Sequence, residues 1–218
     1  MTENKKENLN NRMIKFLFEG APVRGACVQM AEEWQEMIKF HHYPENVAAL
    51  LGQFTAGALL LSSTIKFEGS LILQVKGSGP IAFIYAEVRN PMSIRAMAEI
   101  REGAEIKPEM DLQELINKDG KGLCALILDP KARRPGVQPY QGMVSLESNS
   151  VAENLENYMA KSEQLETKLY LAADSKKLGG LVIQKMPSVG GNVSEISDPD
   201  AWGRIMQLAH TVPKEELL

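Results

Sequence analysis

The spacing of hydrophobic residues changes twice along the first half of the chain. The opening apolar runs "MIKFLF" and "VRGACVQMA" predict two strands. From Ala31 to Tyr43 apolar residues recur every three or four positions, which predicts a helix. A second helix is predicted from Pro44 to about Ser63, because proline suits a first helical turn and small or apolar residues follow it. From Thr64 to Ile100 the period becomes two, which predicts three or four strands in an antiparallel meander.

The second half mixes short helices with strand pairs. The predicted strands are Gly122–Leu128 paired with Tyr140–Glu147, and Lys168–Ala173 paired with Gly180–Met186. The predicted helices are Asp111–Asn117, a helix that Ser150 caps with Glu153 in a capping box, and a helix from Asp198 and Pro199 to about His210. Helices and strands do not alternate strictly, so the pattern indicates an α+β fold with antiparallel meandering sheets packed against helices in a single large domain.

Within the meander, alternate residues predict two different faces. Leu71, Leu73 and Val75 point to one side of their strand, whereas Ile72, Gln74 and Lys76 point to the other. One face is therefore expected to be buried and the other to remain mixed in character.

Composition narrows the class of protein. The 218-residue chain is 44% hydrophobic and 24% charged with a net charge of −4, which excludes wholesale disorder and disfavours a dedicated nucleic-acid binder. Two cysteines, Cys27 and Cys124, fit a reducing cytoplasm better than a secreted scaffold, and their apolar surroundings predict buried structural thiols. The polar N-terminus is unlike a signal peptide, and the apolar run Val47–Leu61 is short for a membrane span and contains Gln53, so it predicts a buried helix.

Candidate reactive groups are few, and none of them forms a recognised catalytic or metal-binding pattern. His41 and His42 are adjacent and would diverge by about 100° on a helix, so they do not form a metal site. Gly77–Pro80 lacks the Lys-Ser/Thr of a phosphate loop and predicts a hairpin turn. A basic loop at Lys131–Arg134 could bind an anion but predicts a solvated loop, because no aromatic residues are interleaved.

Several stretches, taken in order, resemble the redox-regulated holdase chaperone family, the thirty-three-kilodalton heat-shock protein of bacteria. They are "FEGAPVRG", "IKFEGSLILQVKGSGP", "YQGMVSLE", "YMAKSEQLETKLYLA", "GGLVIQKMP" and the ending "TVPKEELL". The resemblance covers nearly the whole chain, and the segment around Ser162–Leu165, "SEQL", is its most specific part.

The resemblance implies an N-terminal substrate-binding domain that forms homodimers, possibly by exchange of a terminal element. In that family a helical linker follows, and then a C-terminal domain whose four cysteines bind zinc when reduced. Those cysteines are not in this sequence, so we expect no cofactor in this chain and zinc only in the missing domain. We accordingly divide the chain into a flexible tail (1–11), a chaperone core domain (12–212) and the start of a truncated linker (213–218).

The resemblance predicts no catalytic residue and no metal site, and a cytoplasmic, ATP-independent holdase that prevents aggregation of unfolding proteins without contacting nucleic acid or membrane. From periodicity, its client-binding surface is predicted on the mixed face of the meander at Ile72, Ile84 and Met97, interspersed with Gln74, Lys76 and Arg95. Packing of these residues beneath another element is an open alternative. A second function is a small-molecule enzyme that uses the His41/His42 region and the Lys131–Arg134 loop; a third, the weakest, is nucleic-acid binding by that loop.

Overall fold

In the residues that the structure describes, two antiparallel sheets and six helices make up the fold. The structure, a computed structural model, describes residues 11–89, 93–131, 138–186, 198 and 200–218. The strands are Arg12–Leu17 (β1), Val23–Met30 (β2), Gly69–Lys76 (β3), Ile81–Arg89 (β4), Ser93–Ile100 (β5), Leu123–Pro130 (β6), Tyr140–Ser145 (β7), Thr167–Ala173 (β8) and Leu178–Lys185 (β9). The helices are Glu32–Ile38 (α1), Glu45–Thr64 (α2), Leu112–Ile116 (α3), Val151–Lys161 (α4), Ala201–Ala209 (α5) and Lys214–Leu217 (α6). The predicted α+β class is confirmed.

The strand order separates the two ends of the chain from its middle. The four-stranded sheet has the order β1-β2-β9-β8, and the five-stranded sheet has the order β5-β4-β3-β6-β7. The predicted meander therefore forms β3, β4 and β5, and the predicted pairs β6–β7 and β8–β9 are both present.

Helix α2 lies between the two sheets and forms the centre of the core. A Cβ placed on Gly57 would contact Leu73 of β3, Leu171 of β8 and Leu155 of α4, so both sheets reach the same turn of the helix. In the described part of the chain α2 is the one helix long and apolar enough to cross a membrane, but 78% of its apolar window is buried inside the protein. It is a core helix, as the sequence predicted.

Small residues on α2 permit this close packing. A Cβ on Gly52 would lie 2.4 Å from Cβ of Ala173 in β8 and 3.2 Å from the indole of Trp34. Trp34 is itself fully buried and donates its ring N–H to the Asp174 carbonyl at 2.8 Å, which joins α1 to the turn after β8.

The outer face of the four-stranded sheet is covered by the end of the chain. Ile205 of α5 packs with Val23 and Ile183 in a second apolar cluster. Beyond it, Leu217 of α6 is buried, and Gln29 donates a hydrogen bond to the Leu217 carbonyl. Residues 213–218, predicted as the start of a linker, thus include a short helix held on the sheet; the division of the chain into tail, core and linker stays a prediction.

The "SEQL" segment joins α4 to β8. Tyr158 donates a hydrogen bond to the Glu163 carboxylate at 2.7 Å, and Tyr140 donates one to the same oxygen at 2.9 Å. Gln164 has a positive φ of 55°, and the Leu165 amide donates to the Met159 carbonyl. The glutamate therefore ties β7 to the end of α4 while the chain reverses direction.

Several predicted boundaries were wrong by a few residues. Thr64, predicted as the start of the meander, is the last residue of α2, where it is buried and donates its hydroxyl to the Leu61 carbonyl; β3 begins only at Gly69. Ser150 does accept a hydrogen bond from the Glu153 amide, but the Glu153 carboxylate bonds Ser148, so the predicted capping box is incomplete.

At the last long helix, the predicted Pro199 lies outside the described residues, and α5 begins at Ala201 after Asp200. The Asp198 carboxylate accepts a hydrogen bond from the Asp200 amide, whereas a cap of α5 would accept one from the amide of Trp202 or Gly203, so the predicted cap is wrong.

Candidate functional site

The five-stranded sheet has one buried face and one solvent-facing face, which we call the open face. On the inner side, Leu71, Leu73 and Val75 are buried, and Gly57 of α2 lies against Leu73. On the outer side of β3, Ile72 and Gln74 are half-buried and Lys76 is exposed. The apolar side chains of the open face are Ile72, Phe83, Tyr85, Met97, Leu123, Ala125, Ile127 and Met143.

The strand register arranges these side chains in rows across the sheet. One row runs from Met143 through Ala125, Gln74 and Tyr85 to Met97. The neighbouring row places Ile127 and Ile72 side by side, followed by Glu87 and Arg95 and preceded by Gln141. Apolar residues thus lie next to one another across all five strands, with polar residues interspersed.

Large apolar side chains on this face remain in contact with water. Met97 is 41% exposed, Leu123 is 45% exposed and Met143 is 48% exposed. Ile72, Phe83, Tyr85 and Ile127 are partly buried by their neighbours. A run of exposed apolar groups across a sheet is the kind of surface that binds other apolar groups by excluding water.

A buried carboxylate lies within the open face. Glu87 is almost fully buried, accepts a hydrogen bond from the Tyr85 hydroxyl at 3.1 Å and pairs with the Arg89 Nε at 2.8 Å. Burial by itself would raise the pKa of this carboxyl, but the hydrogen bonds from Arg89, Ser70 and Tyr85 outweigh it and lower the pKa. The face therefore carries a satisfied ionised group beneath its apolar surface.

Of the three predicted surface residues, two lie on the open face and one lies on the core side of the sheet. Ile72 and Met97 lie on the open face, and their role in client binding stays a prediction. Ile84 was placed wrongly: it pairs with Val75 and Ala98, points into the core and is 0% exposed. The error arose because the turn after β3 sets the register of β4, so that odd-numbered residues of β4 share the side of even-numbered residues of β3.

Besides Tyr85 and Ala125, four apolar residues of the open face were missed from the sequence: Phe83, Leu123, Ile127 and Met143. Phe83 is the neighbour of Ile84 and points to the opposite side of β4. The wrong register therefore placed Ile84 on the open face and left Phe83 out. The other three lie on β6 and β7, which were predicted as a pair but were not assigned to the meander. The alternation in "LCALIL" would have indicated two faces, but the sequence does not state which strand β6 joins.

The alternative site is not assembled by the described residues. His41 stacks on Tyr43, whose hydroxyl bonds Ala98 in β5. Lys131 directly follows β6 and donates its amide to the carbonyl of Glu68, the residue before β3. In the sheet order β5 and β6 are three positions apart, which is at least about 14 Å. Residues 132–137, which include Arg133 and Arg134, lie outside the described residues.

The other candidate reactive groups lie in a turn or within the packed strands. Gly77–Pro80 forms the β3–β4 turn, as predicted, and the Gly77 and Gly79 carbonyls accept hydrogen bonds from Arg101. Cys124 is buried, and burial raises the pKa of its thiol to about 12. Cys27, predicted as buried, is only partly so.

Among the residues that the structure describes, no three or more His, Cys, Asp or Glu side chains come together in a way that could hold a metal ion.

Comparison with known proteins gives consistent matches along the chain. The family model described as "Hsp33 protein" matches residues 11–218. A 33 kDa chaperonin from Nitrosococcus oceani is 40% identical over 212 residues, which is 96% of this chain and 68% of that protein. The 33 kDa chaperonins of Methylobacillus flagellatus and Neisseria gonorrhoeae are each 38% identical over 96% of this chain, covering 68% and 66% of their own length. The chain thus spans about two thirds of these relatives.

A solved structure has the same fold. The crystal structure of a 33 kDa chaperonin from Thermotoga maritima matches 95% of this chain and 70% of its own with a TM-score of 0.74, at 20% sequence identity.

Proposed function

This chain belongs to the Hsp33 family, and from that premise we propose that it is an ATP-independent holdase domain that binds unfolding proteins through the open face. Its curated relatives are named chaperonins, which supports a chaperone function. The observation that carries the proposal is the exposure of Met97, Leu123 and Met143 on the face of a sheet whose other side is a packed core.

The physical basis is the transfer of apolar client surface out of water. Burial of about 400 Å² of client surface at about 25 cal/mol per Å² is worth about 10 kcal/mol before the entropy of association is subtracted. The residual affinity is in the micromolar range, and because apolar contact is non-directional it suits many different clients. Methionines support this breadth, since their flexible side chains adapt to different shapes.

The interspersed polar residues keep the face soluble. Gln74, Lys76 and Arg95 divide the apolar rows, and Glu87 is held ionised by its hydrogen bonds. The net charge of −4 contributes to the dispersion of a client-loaded protein. We further expect a cytoplasmic homodimer that works without cofactor, nucleic acid or membrane, as the family resemblance implies.

Light scattering tests the proposed activity. A heat-denatured client is followed with and without an equimolar amount of the reduced protein, in the absence of nucleotide. The proposal predicts suppressed scattering; unchanged aggregation at a severalfold molar excess would contradict it. Sedimentation of the protein alone tests the homodimer.

A further inference from the structure

Strand β7 is an edge of the five-stranded sheet that carries no charge and no proline of its own. Four described strands lie at the edges of the two sheets, namely β1, β5, β7 and β8. Three of them carry charged side chains: Arg12 and Lys15 in β1, Arg95 and Glu99 in β5, and Lys168 in β8. The sequence of β7, "YQGMVS", has neither a charge nor a proline. Charges and prolines are the usual means by which edge strands avoid pairing with another chain.

The register shows which backbone groups of β7 face outward. The Leu146 amide donates to the Gly122 carbonyl across the β6–β7 pair, so these two residues form a hydrogen-bonded pair. Because such pairs alternate in an antiparallel ladder, Val144 and Gly142 also bond β6. The N–H and C=O groups of Gln141, Met143 and Ser145 therefore point away from the sheet.

A groove runs along this edge. Its volume is about 130 Å³, and its lining includes Met143 and Ser145 of β7, Glu147 just after that strand, and Asn157 and Lys161 of α4. Met143 and Ser145 lie on the open face, whereas α4 packs on the inner side through Tyr158, which lies against Gly142. Residues from both sides can border one groove only around the edge of the strand, where the outward backbone groups lie.

We propose that the β7 edge takes up an extended segment of an unfolded polypeptide as a sixth strand of the open sheet. The inference rests on the proposed function and deepens it. Three outward N–H and C=O pairs, spaced two residues apart, match the backbone of an extended segment of about five residues. A folded partner has its backbone groups already bonded, whereas an unfolded chain has them free.

The added strand would extend both surfaces that β7 borders. Its side chains on one side would continue the row that begins at Met143, and those on the other side would enter the groove beside Asn157 and Lys161. Because the ladder uses main-chain groups, this mode of binding is independent of client sequence. It adds hydrogen bonds to the apolar contact made by the open face.

A backbone-modified peptide tests the inference on the unaltered protein. The probe is a fluorescein-labelled ten-residue peptide of alternating valine and threonine, followed by fluorescence anisotropy. Methylation of every amide nitrogen should weaken its binding by about tenfold or more, because no ladder can form. Methylation of alternate nitrogens leaves one bonding edge and should change affinity by less than about threefold. Equal binding by the fully methylated peptide would overturn the inference.

Protein variants test whether the peptide forms its backbone hydrogen bonds with β7. Gln141→Pro removes one outward N–H at a position where an edge strand tolerates proline, and should weaken peptide binding by about fivefold or more. Gln141→Ala removes the side chain and keeps the N–H, and should bind within about threefold of the wild type. A folded Gln141→Pro protein that binds the peptide as the wild type does would overturn the inference, as would one that loses only self-association.

If the proline variant does not fold, hydrogen exchange on the wild-type protein tests strand addition at β7. The amides of Gln141, Met143 and Ser145 should exchange more slowly with the peptide bound, and unchanged exchange there would overturn strand addition. If the protein still suppresses aggregation in that case, the holdase proposal stands while the strand-addition proposal falls. If it suppresses no aggregation at all, the holdase proposal itself falls.

Discussion

Ile72 of β3 lies directly opposite Ile127 of β6, on the side of the sheet away from α2. The two residues are 55 positions apart in sequence, and only the pairing of β3 with β6 brings them together. Their adjacency joins the apolar residues of the β3–β5 meander to those of β6 and β7 in one surface. The proposed function depends on this continuity.

Charged replacements on the open face should reduce holdase activity without unfolding the protein. Ile72→Lys or Met97→Lys would require a client to bury an ammonium group, so we expect client affinity to fall by about tenfold or more, while the free energy of unfolding changes by less than about 1 kcal/mol. Light scattering and urea unfolding measure the two quantities. Leu208→Lys is the matched control, since Leu208 is 69% exposed on α5; equal loss in the control would contradict a specific role of the open face.

Ile84 should matter for stability and not as a contact for clients. Ile84→Ala leaves a cavity beside Val75 and Ala98, and should lower the free energy of unfolding by about 3 kcal/mol. Met97→Ala, one strand away on the open face, should lower it by less than about 1 kcal/mol. Urea denaturation measures both, and similar losses in the two variants would be inconsistent with the register described here.

Two helical glycines should respond in opposite directions to alanine. Gly52→Ala places a methyl group 2.4 Å from the Cβ of Ala173 and should destabilise the protein by about 1 to 3 kcal/mol. Gly203→Ala in α5 meets nothing within 4 Å, and should stabilise it by about 0.5 to 1 kcal/mol through helix propensity. Thermal unfolding gives the sign in each case, and a stabilised Gly52→Ala protein would show that α2 is not packed closely against β8.

Acid should remove a stabilising contribution from Glu87. Its pKa in the folded protein is lowered from 4.5, so the ionised carboxylate stabilises the fold above that pH, and this contribution is lost as the pH falls through the folded-state pKa. Glu87→Gln lacks the titrating group, so its free energy of unfolding should fall less than that of the wild type between about pH 6 and about pH 3. Parallel pH curves for the two proteins would rule out the lowered pKa.

The two cysteines should differ in reactivity. Cys124 is buried and the pKa of its thiol is raised to about 12, so at neutral pH it has almost no thiolate and should react with a thiol reagent only on unfolding. Cys27 is partly exposed and should be labelled first. Mass spectrometry after brief alkylation assigns the label; modification of Cys124 at a rate similar to that of Cys27 in folded protein would contradict the buried position.

The sequence predicted the elements of this fold better than its surface. The change of period at Thr64 located the end of α2 and the start of the meander to within five residues. Period two also separated Leu71, Leu73 and Val75 from their neighbours correctly, because that alternation is a local property of one strand.

The composition of the open face could not be obtained in the same way. Whether Phe83 or Ile84 shares the side of Ile72 depends on the turn geometry between β3 and β4, and an error of one residue reverses the whole strand. The contributions of Leu123 and Ile127 depend on a non-local pairing of β6 with β3. The tie between Glu163 and the two tyrosines likewise joins residues that no periodicity relates.

Methyl NMR of the methionines on the open face tests the central claim most directly. The ε-methyl signals of Met97 and Met143 are followed as an unfolding client is added to the reduced protein without nucleotide. Met206 of α5, which packs against the second apolar cluster, is the internal reference. Binding through the open face predicts that the signals of Met97 and Met143 shift or broaden in proportion to bound client while that of Met206 stays in place. Suppressed aggregation with unchanged signals from both open-face methionines would contradict the account.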